Sequence, residues 1–191
     1  MIKLVTFLGN PGTEHLQTRH NAGWMLCEAL ESLQGNFWQT KFKGQYLQQQ
    51  ISGNKFIFLK PETYMNLSGS SVLACMQFFK ITPEELMVVH DDLELDFGQI
   101  GLKEGGGLGG HNGLRSIAQV LGTNDFYRFR LGISRPSHRN VSAYVLSKFS
   151  PDEQIVLSDY LKNAANIFKK IFAEDIDRLV KRNQKVKLIN A

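Results

Sequence analysis

The chain is short of cysteine, of long apolar runs and of nucleotide-binding signatures, and each shortage narrows what it can be. Its two cysteines, Cys27 and Cys75, are too few for a disulfide framework and stand in neither a C-x-x-C nor a zinc-ligand spacing. They read as small core hydrophobes in a reducing compartment. No stretch approaches the ~20 apolar residues of a membrane span. The opening "MIKLVTFLG" has one lysine and a run too short for a signal peptide. The expectation is a cytoplasmic protein with no membrane partner. G-x-x-x-x-G-K-[ST] is missing, as is a G-x-G-x-x-G with an acid at the expected distance, which excludes ATP and NAD. Also missing are the G-x-S-x-G of a serine nucleophile and the H-E-x-x-H of a zinc protease. His15 and His20 are five apart, off any shared helical face. The reading is no metal and no organic cofactor.

What is present fits a globular enzyme. With 191 residues, 42% hydrophobic and 21% charged, the chain can bury roughly 70% of its unfolded surface. No linker or repeat divides it, so 1–191 is expected to form one domain, with C-terminal helices at about 150–185 packed on it. The net charge of +4 is modest, but its distribution is uneven. Between Gly101 and Lys148 stand Lys103, Arg115, Arg128, Arg130, Arg135, Arg139 and Lys148 against Glu104 and Asp125. The stretch from Glu84 to Asp96 holds six acids and no lysine or arginine. A basic segment suits a polyanionic partner, although charge alone does not separate that from scattered solvated residues.

Periodicity places the elements. "IKLVTFL" is a buried strand, and "NAGWMLCEALESL" carries Trp24, Cys27, Leu30 and Leu33 at helical spacing. "YLQQQI" and "KFIFLKP" form a hairpin across "SGN". "NLSGSSVLACMQFFKI" is a second helix, and "ELMVVHDDL" is an apolar strand ending in charge. "FGQIGLK" is a further strand. "EGGGLGGHNG" is a glycine loop, followed by a short helix closed by Gly122. "FYRFRLGIS" alternates like a strand with one wet face. "SRPSHRNVSAY" is polar and turn-rich, the composition of a segment able to move. Ser150, Pro151 and Glu153 supply an N-cap, N1 and N3 for a long amphipathic helix, and the tail continues helical and then frays. Alternating strands and helices with one hairpin imply an α/β fold, a three-layer sandwich around a mixed, mostly parallel twisted sheet.

In such sheets functional residues gather at the carboxyl ends of strands. Those ends carry Asn10 and His20, Asn66, Asp91 and Asp92, and His111 and Asn112. The set is rich in Asn, His and Asp and poor in nucleophiles. A histidine at a helix start feels positive potential, which keeps the imidazole neutral and able to act as a base. A nearby acid such as Asp91 would fix its tautomer. For a lone histidine, capping or packing is the plainer role. The asparagines suit amide groups or an oxyanion, and each alone is equally a turn or cap residue.

Five segments in order, "GNPGTEHLQTRHNAG", "KPETYMNLSG", "VVHDDLEL", "GGGLGGHNGLRS" and "DFYRFRLGISRP", resemble the bacterial-type peptidyl-tRNA hydrolases. The likeness runs from Met1 to about Lys148, and the remainder fits in character and length. It implies a carboxylic ester hydrolase that cleaves the bond between a peptide and the 3′ ribose of tRNA, recycling tRNA in translation and ribosome rescue. By matching positions it implies a catalytic set of His20 as base, Asp91 as its holder and Asn10 as the reader of N-blocked substrate. Asn66 and Asn112 would bind the substrate end beside Tyr64 and His15, with Met65 and His111 lining the cleft. Lys103 and Arg130 would clamp the tRNA 5′-phosphate near the acceptor stem and 3′ end. A monomer is expected. Asp92 could share the role given to Asp91. Where the family commonly has tyrosine after "NPGTE", this chain has His15. A rival is a non-catalytic RNA-binding member of the same fold, which could lose His20 or Asp91; this chain keeps both. A second rival, a hydrolase or phosphorylase of a small amide or nucleoside, fits the basic 101–148 segment less well.

Overall fold

The first apolar run forms β1 (Leu4–Phe7), and its side chains alternate between two cores. The computed structural model describes residues 1–137 and 140–189. Arg139, counted above in the basic segment, lies outside them. Along the chain follow α1 (Ala22–Ala29), β2 (Gln39–Lys41), β3 (Gly44–Ile51), β4 (Asn54–Pro61), α2 (Ser68–Phe79), β5 (Leu86–Asp92), β6 (Gln99–Glu104) and α3 (Asn112–Leu121). The rest are β7 (Tyr127–Gly132), α4 (Val141–Val145), α5 (Pro151–Phe168), α6 (Ile176–Arg182) and β8 (Val186–Lys187).

Among the described residues the strands form one sheet in the order β2-β3-β4-β1-β5-β7-β6-β8. β4, β1, β5 and β7 are mutually parallel. β3 and β6 oppose them, while the outermost β2 and β8 run with them. The sheet is therefore mixed, parallel at its centre, and most of its strands point one way. Val5, Phe7, Met87 and Val89 face the core under α1 and α5. Leu4, Leu8, Leu86 and Val88 face the core under α2 and α3. The result is three layers. Cys27 and Cys75 are free and buried, one in each core, and burial pushes both thiols up to about 12.

Four local readings need correction. The first helical pattern stops at Ala29, because Leu30 turns extended (φ −82°, ψ 95°), and Glu31–Leu33 make a separate 3-10 turn. The polar face of β7 is not wet: Arg128 is 3% exposed. Its guanidinium donates to the carbonyls of Gly105, Gly106 and Gly107, at 2.5, 2.7 and 2.7 Å. The turn-rich segment contains α4. The tail does not simply fray: α6 leads into β8, which pairs with Gln99 and Ile100 of β6. Elsewhere the caps follow the sequence. Ser150 Oγ accepts from the Glu153 N–H, and the Glu153 carboxylate accepts from the Ser150 N–H, at the start of α5. Gly122 closes α3 at φ 71°.

Candidate active site

The carboxyl ends of β1, β4 and β5 and the start of α3 converge on a cavity of about 740 Å³. Between β1 and α1 the chain makes two 3-10 turns, Thr13–His15 with no buried residue and, running directly into α1, Arg19–Asn21 with all three side chains buried. The second turn sits close to the sheet because α1 does. A Cβ on Gly23 would lie 2.5 Å from the Leu8 carbonyl and 2.8 Å from that of Val89.

His20 is 7% exposed and borders the cavity. Its Nδ1 lies 2.9 Å from Asp91 Oδ1. His111 Nε2 reaches the same oxygen, also at 2.9 Å. The tautomers follow from the partners. His111 Nδ1 accepts the N–H groups of Gly113 and Leu114 at the start of α3, so its proton is on Nε2 and is donated to Asp91. Asp91 is an acceptor only, so His20 donates from Nδ1. His20 Nε2 is left with a lone pair and no partner among the described residues.

The electrostatics correct one expectation. Burial does pull the His20 pKa down, but the charge of Asp91 and its hydrogen bond pull harder, and the net shift is upward. Burial would raise the Asp91 carboxyl; His20 and His111 instead hold it far below the carboxylate range. His90, wholly buried, is pushed well down by desolvation and by His111. Its neutral ring donates from Nδ1 to the Asp91 carbonyl at 2.7 Å. Asp92 faces elsewhere: its carboxylate accepts the Arg130 Nε–H at 2.7 Å and the Glu94 N–H at 2.8 Å.

The three asparagines divide. Asn10 is buried, and its Oδ1 accepts the Met65 N–H at 2.8 Å. A backbone N–H can only donate, so the Asn10 Nδ2 donor is the group left over. Asn21, missed in the sequence reading although it adjoins His20, braces this residue from both sides. Its Oδ1 accepts the Asn10 N–H and its Nδ2 donates to the Asn10 carbonyl, at 2.8 and 3.0 Å. Asn66 and Asn112 are exposed on the cavity wall, with Tyr64 and half-buried His15 at the same opening. Met65 is buried beneath them. Lys103 and Arg130 line the cavity from neighbouring strands. Arg135 and Glu94, paired with each other, and Val141 and Leu146 around α4 are further wall residues the sequence did not single out.

His20, Asp91 and His111 bring three ligand-type atoms within 4.8 Å of one another. The donor set is arranged for hydrogen bonds. A cation would have to displace both N–H···O contacts, and would force a proton onto His111 Nδ1 against two backbone N–H groups.

The family model for peptidyl-tRNA hydrolase matches residues 4–190. The chain belongs to the peptidyl-tRNA hydrolase family. Among relatives of that name, the one from Geotalea uraniireducens is 45% identical over 178 residues, 93% of either chain. One from Lactobacillus johnsonii is 42% identical over 87% of this chain and 90% of its own. The crystal structure of peptidyl-tRNA hydrolase from Acinetobacter baumannii superposes with a TM-score of 0.87 at 37% identity, covering 96% of this chain and 94% of that one. The mixed sheet and its flanking helices are thus those of the peptidyl-tRNA hydrolase fold. The segments that carried the likeness in the sequence are the ones that meet at this cavity.

Proposed function

We propose that the chain hydrolyses the ester joining a peptide to the 3′ ribose of tRNA, with His20 as the base and water as the nucleophile. One observation carries the mechanism: His20 gives its Nδ1 proton to a carboxylate that is buried and ionised, and keeps Nε2 unpaired beside the cavity. Nε2 takes a proton from water as the water oxygen bonds to the ester carbonyl carbon. Asp91 stabilises the imidazolium that forms, and the His111 N–H holds Asp91 in place. The carbonyl oxygen becomes an oxyanion, and the spare Nδ2 donor of Asn10, buried at the cavity edge, is a group able to meet it. The C–O bond then breaks, and the 3′ oxygen leaves with the proton that His20 returns. No covalent enzyme intermediate is needed.

Asn66 and Asn112 offer exposed amide groups to the peptide and the 3′ end. Lys103 has no ion-pair partner among the described residues. Arg130 is held through Nε alone, leaving its terminal nitrogens for an anion. Both suit the 5′-phosphate and the acceptor-stem backbone. The chain acts as a monomeric single domain of residues 1–191, in the cytoplasm where peptidyl-tRNA arises. Among the described residues no helix is long and apolar enough to cross a membrane.

The test is release of deacylated tRNA from N-acetyl-aminoacyl-tRNA and from unblocked aminoacyl-tRNA, by the native protein and by His20→Ala. The expected result is cleavage of the blocked substrate only, reduced by several orders of magnitude in the variant. A folded native protein that releases no tRNA from either substrate sinks the proposal.

A further inference from the structure

We propose that Arg19 is a positioning residue for His20, tying the base to the cavity wall at α4; the proposal rests on the hydrolase reading above. A 3-10 turn advances about 120° per residue, so consecutive side chains leave it in three directions. In the turn Arg19–Asn21 each direction ends on a different part of the fold. His20 reaches Asp91 on β5. Asn21 reaches both main-chain polar groups of Asn10 beyond β1. Arg19 reaches the segment that carries α4 and the start of α5.

The Arg19 anchor is built for orientation. Its side chain is 7% exposed and its Nη2 donates to Glu153 Oε2 at 2.7 Å. The guanidinium carbon lies 4.4 Å from the Tyr144 ring centroid and 4.9 Å from that of Phe149. A planar cation between two rings and a carboxylate has little freedom to turn. The main chain adds to this: the Arg19 N–H donates to the Ser147 carbonyl at 3.0 Å, and Thr18 bridges to Lys148. Tyr144 itself is fixed by its hydroxyl, which donates to the Ile133 carbonyl at 2.5 Å. Val141 and Leu146, on either side of Tyr144, line the cavity. One side chain therefore sets both the turn that presents the base and the wall that faces it. A shift of about 1 Å in a reacting group can cost on the order of 100-fold in rate, so this anchor acts on catalysis without touching substrate.

Arg19→Met and Arg19→Lys test this, each read by kcat and KM on N-acetyl-aminoacyl-tRNA and by the NMR signal of the His20 Nδ1–H. For Arg19→Met the expected result is a folded protein whose kcat falls about 10- to 100-fold. Its KM rises and its His20 signal is displaced or broadened. Arg19→Lys recovers part of kcat by keeping a cation opposite Glu153. Native kcat and an unmoved His20 signal, with only a lower melting temperature, would make Arg19 an anchor for α5 alone and overturn the proposal. If Arg19→Met does not fold, Tyr144→Leu leaves the ion pair in place and is read the same way. An unchanged His20 signal and KM in that variant overturns the proposal equally. The NMR signal does not depend on turnover. A displaced signal in a protein whose native form cleaves no peptidyl-tRNA would sink the hydrolase reading and leave the positioning intact.

Discussion

As the proposed base, His20 would need a lone pair on Nε2 to take a proton, and Asp91 sets the pH at which it has one. The net upward shift means that His20 stays protonated, and idle as a base, above the ordinary imidazole value of 6.5. Activity should fall as pH drops through a value higher than 6.5, with the low-pH limb of kcat/KM following a single ionisation. Asp91→Asn removes the charge that raises it and leaves the burial that lowers it. The limb should then move to lower pH, while kcat drops by about 10³-fold or more, because an amide no longer enforces the Nδ1–H tautomer. A limb that stays put in Asp91→Asn would show that another group carries the titration. His15 makes a contrasting case. It borders the cavity but makes none of the bonds around Asp91. His15→Tyr should leave kcat nearly unchanged and lower KM modestly by enlarging the contact with the substrate end, as steady-state kinetics would show. Much of this was legible in the sequence, since His20 and Asp91 stand at strand and helix ends. The choice of Asp91 over Asp92 came only from the family resemblance, with a shared role for Asp92 left open. Successive strand residues point to opposite sides, so one acid meets two histidines and the other meets Arg130, and only the register shows which. His111 was readable as cleft lining, but its hydrogen bond to Asp91 spans 20 residues and leaves no local pattern.

At the level of elements, sequence and structure agree where the signal is local. The hairpin across Ser52 and Gly53, with φ of 51° and 80°, and the capping box of α5 are set by neighbouring residues alone. They part where a distant partner decides. β7 alternates as a half-wet strand should, yet the glycine loop folds over its polar side and supplies carbonyls to Arg128. That loop runs between Lys103 and His111, so Arg128 steadies residues of the cavity from beneath. Arg128→Met would leave the buried Gly105 carbonyl without its donor, at a cost of about 1–3 kcal/mol, while the Gly106 and Gly107 carbonyls lie nearer water. The expected outcome is a melting temperature several degrees lower, together with a raised KM, as the loop loses its fixed shape. A variant that melts earlier but binds substrate normally would show that the loop holds its form without the clasp. β8 escaped the sequence reading for a related reason. Two residues are too few for a periodic signal, and only pairing with β6 makes them a strand.

For the whole molecule, the placement of the cavity at the carboxyl ends of the central parallel strands was foreseeable from the α/β class alone. Its wall is basic on one side through Lys103 and Arg130, and on the proposed reading a bound tRNA would bring phosphates to that side. Association should weaken as salt rises, because neutralising phosphates releases counterions. Lys103 and Arg130 are not equivalent in this. Lys103 has no ion-pair partner among the described residues, so Lys103→Ala removes one phosphate contact and little else. The slope of log affinity against log salt should become shallower by about one, with the melting temperature unchanged. Arg130→Ala also strips Asp92 of its ion-pair partner beside His90, so it should lower affinity and stability together. Both variants should cleave a short peptidyl-nucleotide at rates close to native, since that substrate carries no acceptor stem for them to hold. Binding of catalytically silent His20→Ala protein to N-acetyl-aminoacyl-tRNA, titrated across salt with each substitution added, separates the two. An identical slope with and without Lys103 would remove it from the phosphate contact and leave Arg130 as the cation facing the RNA.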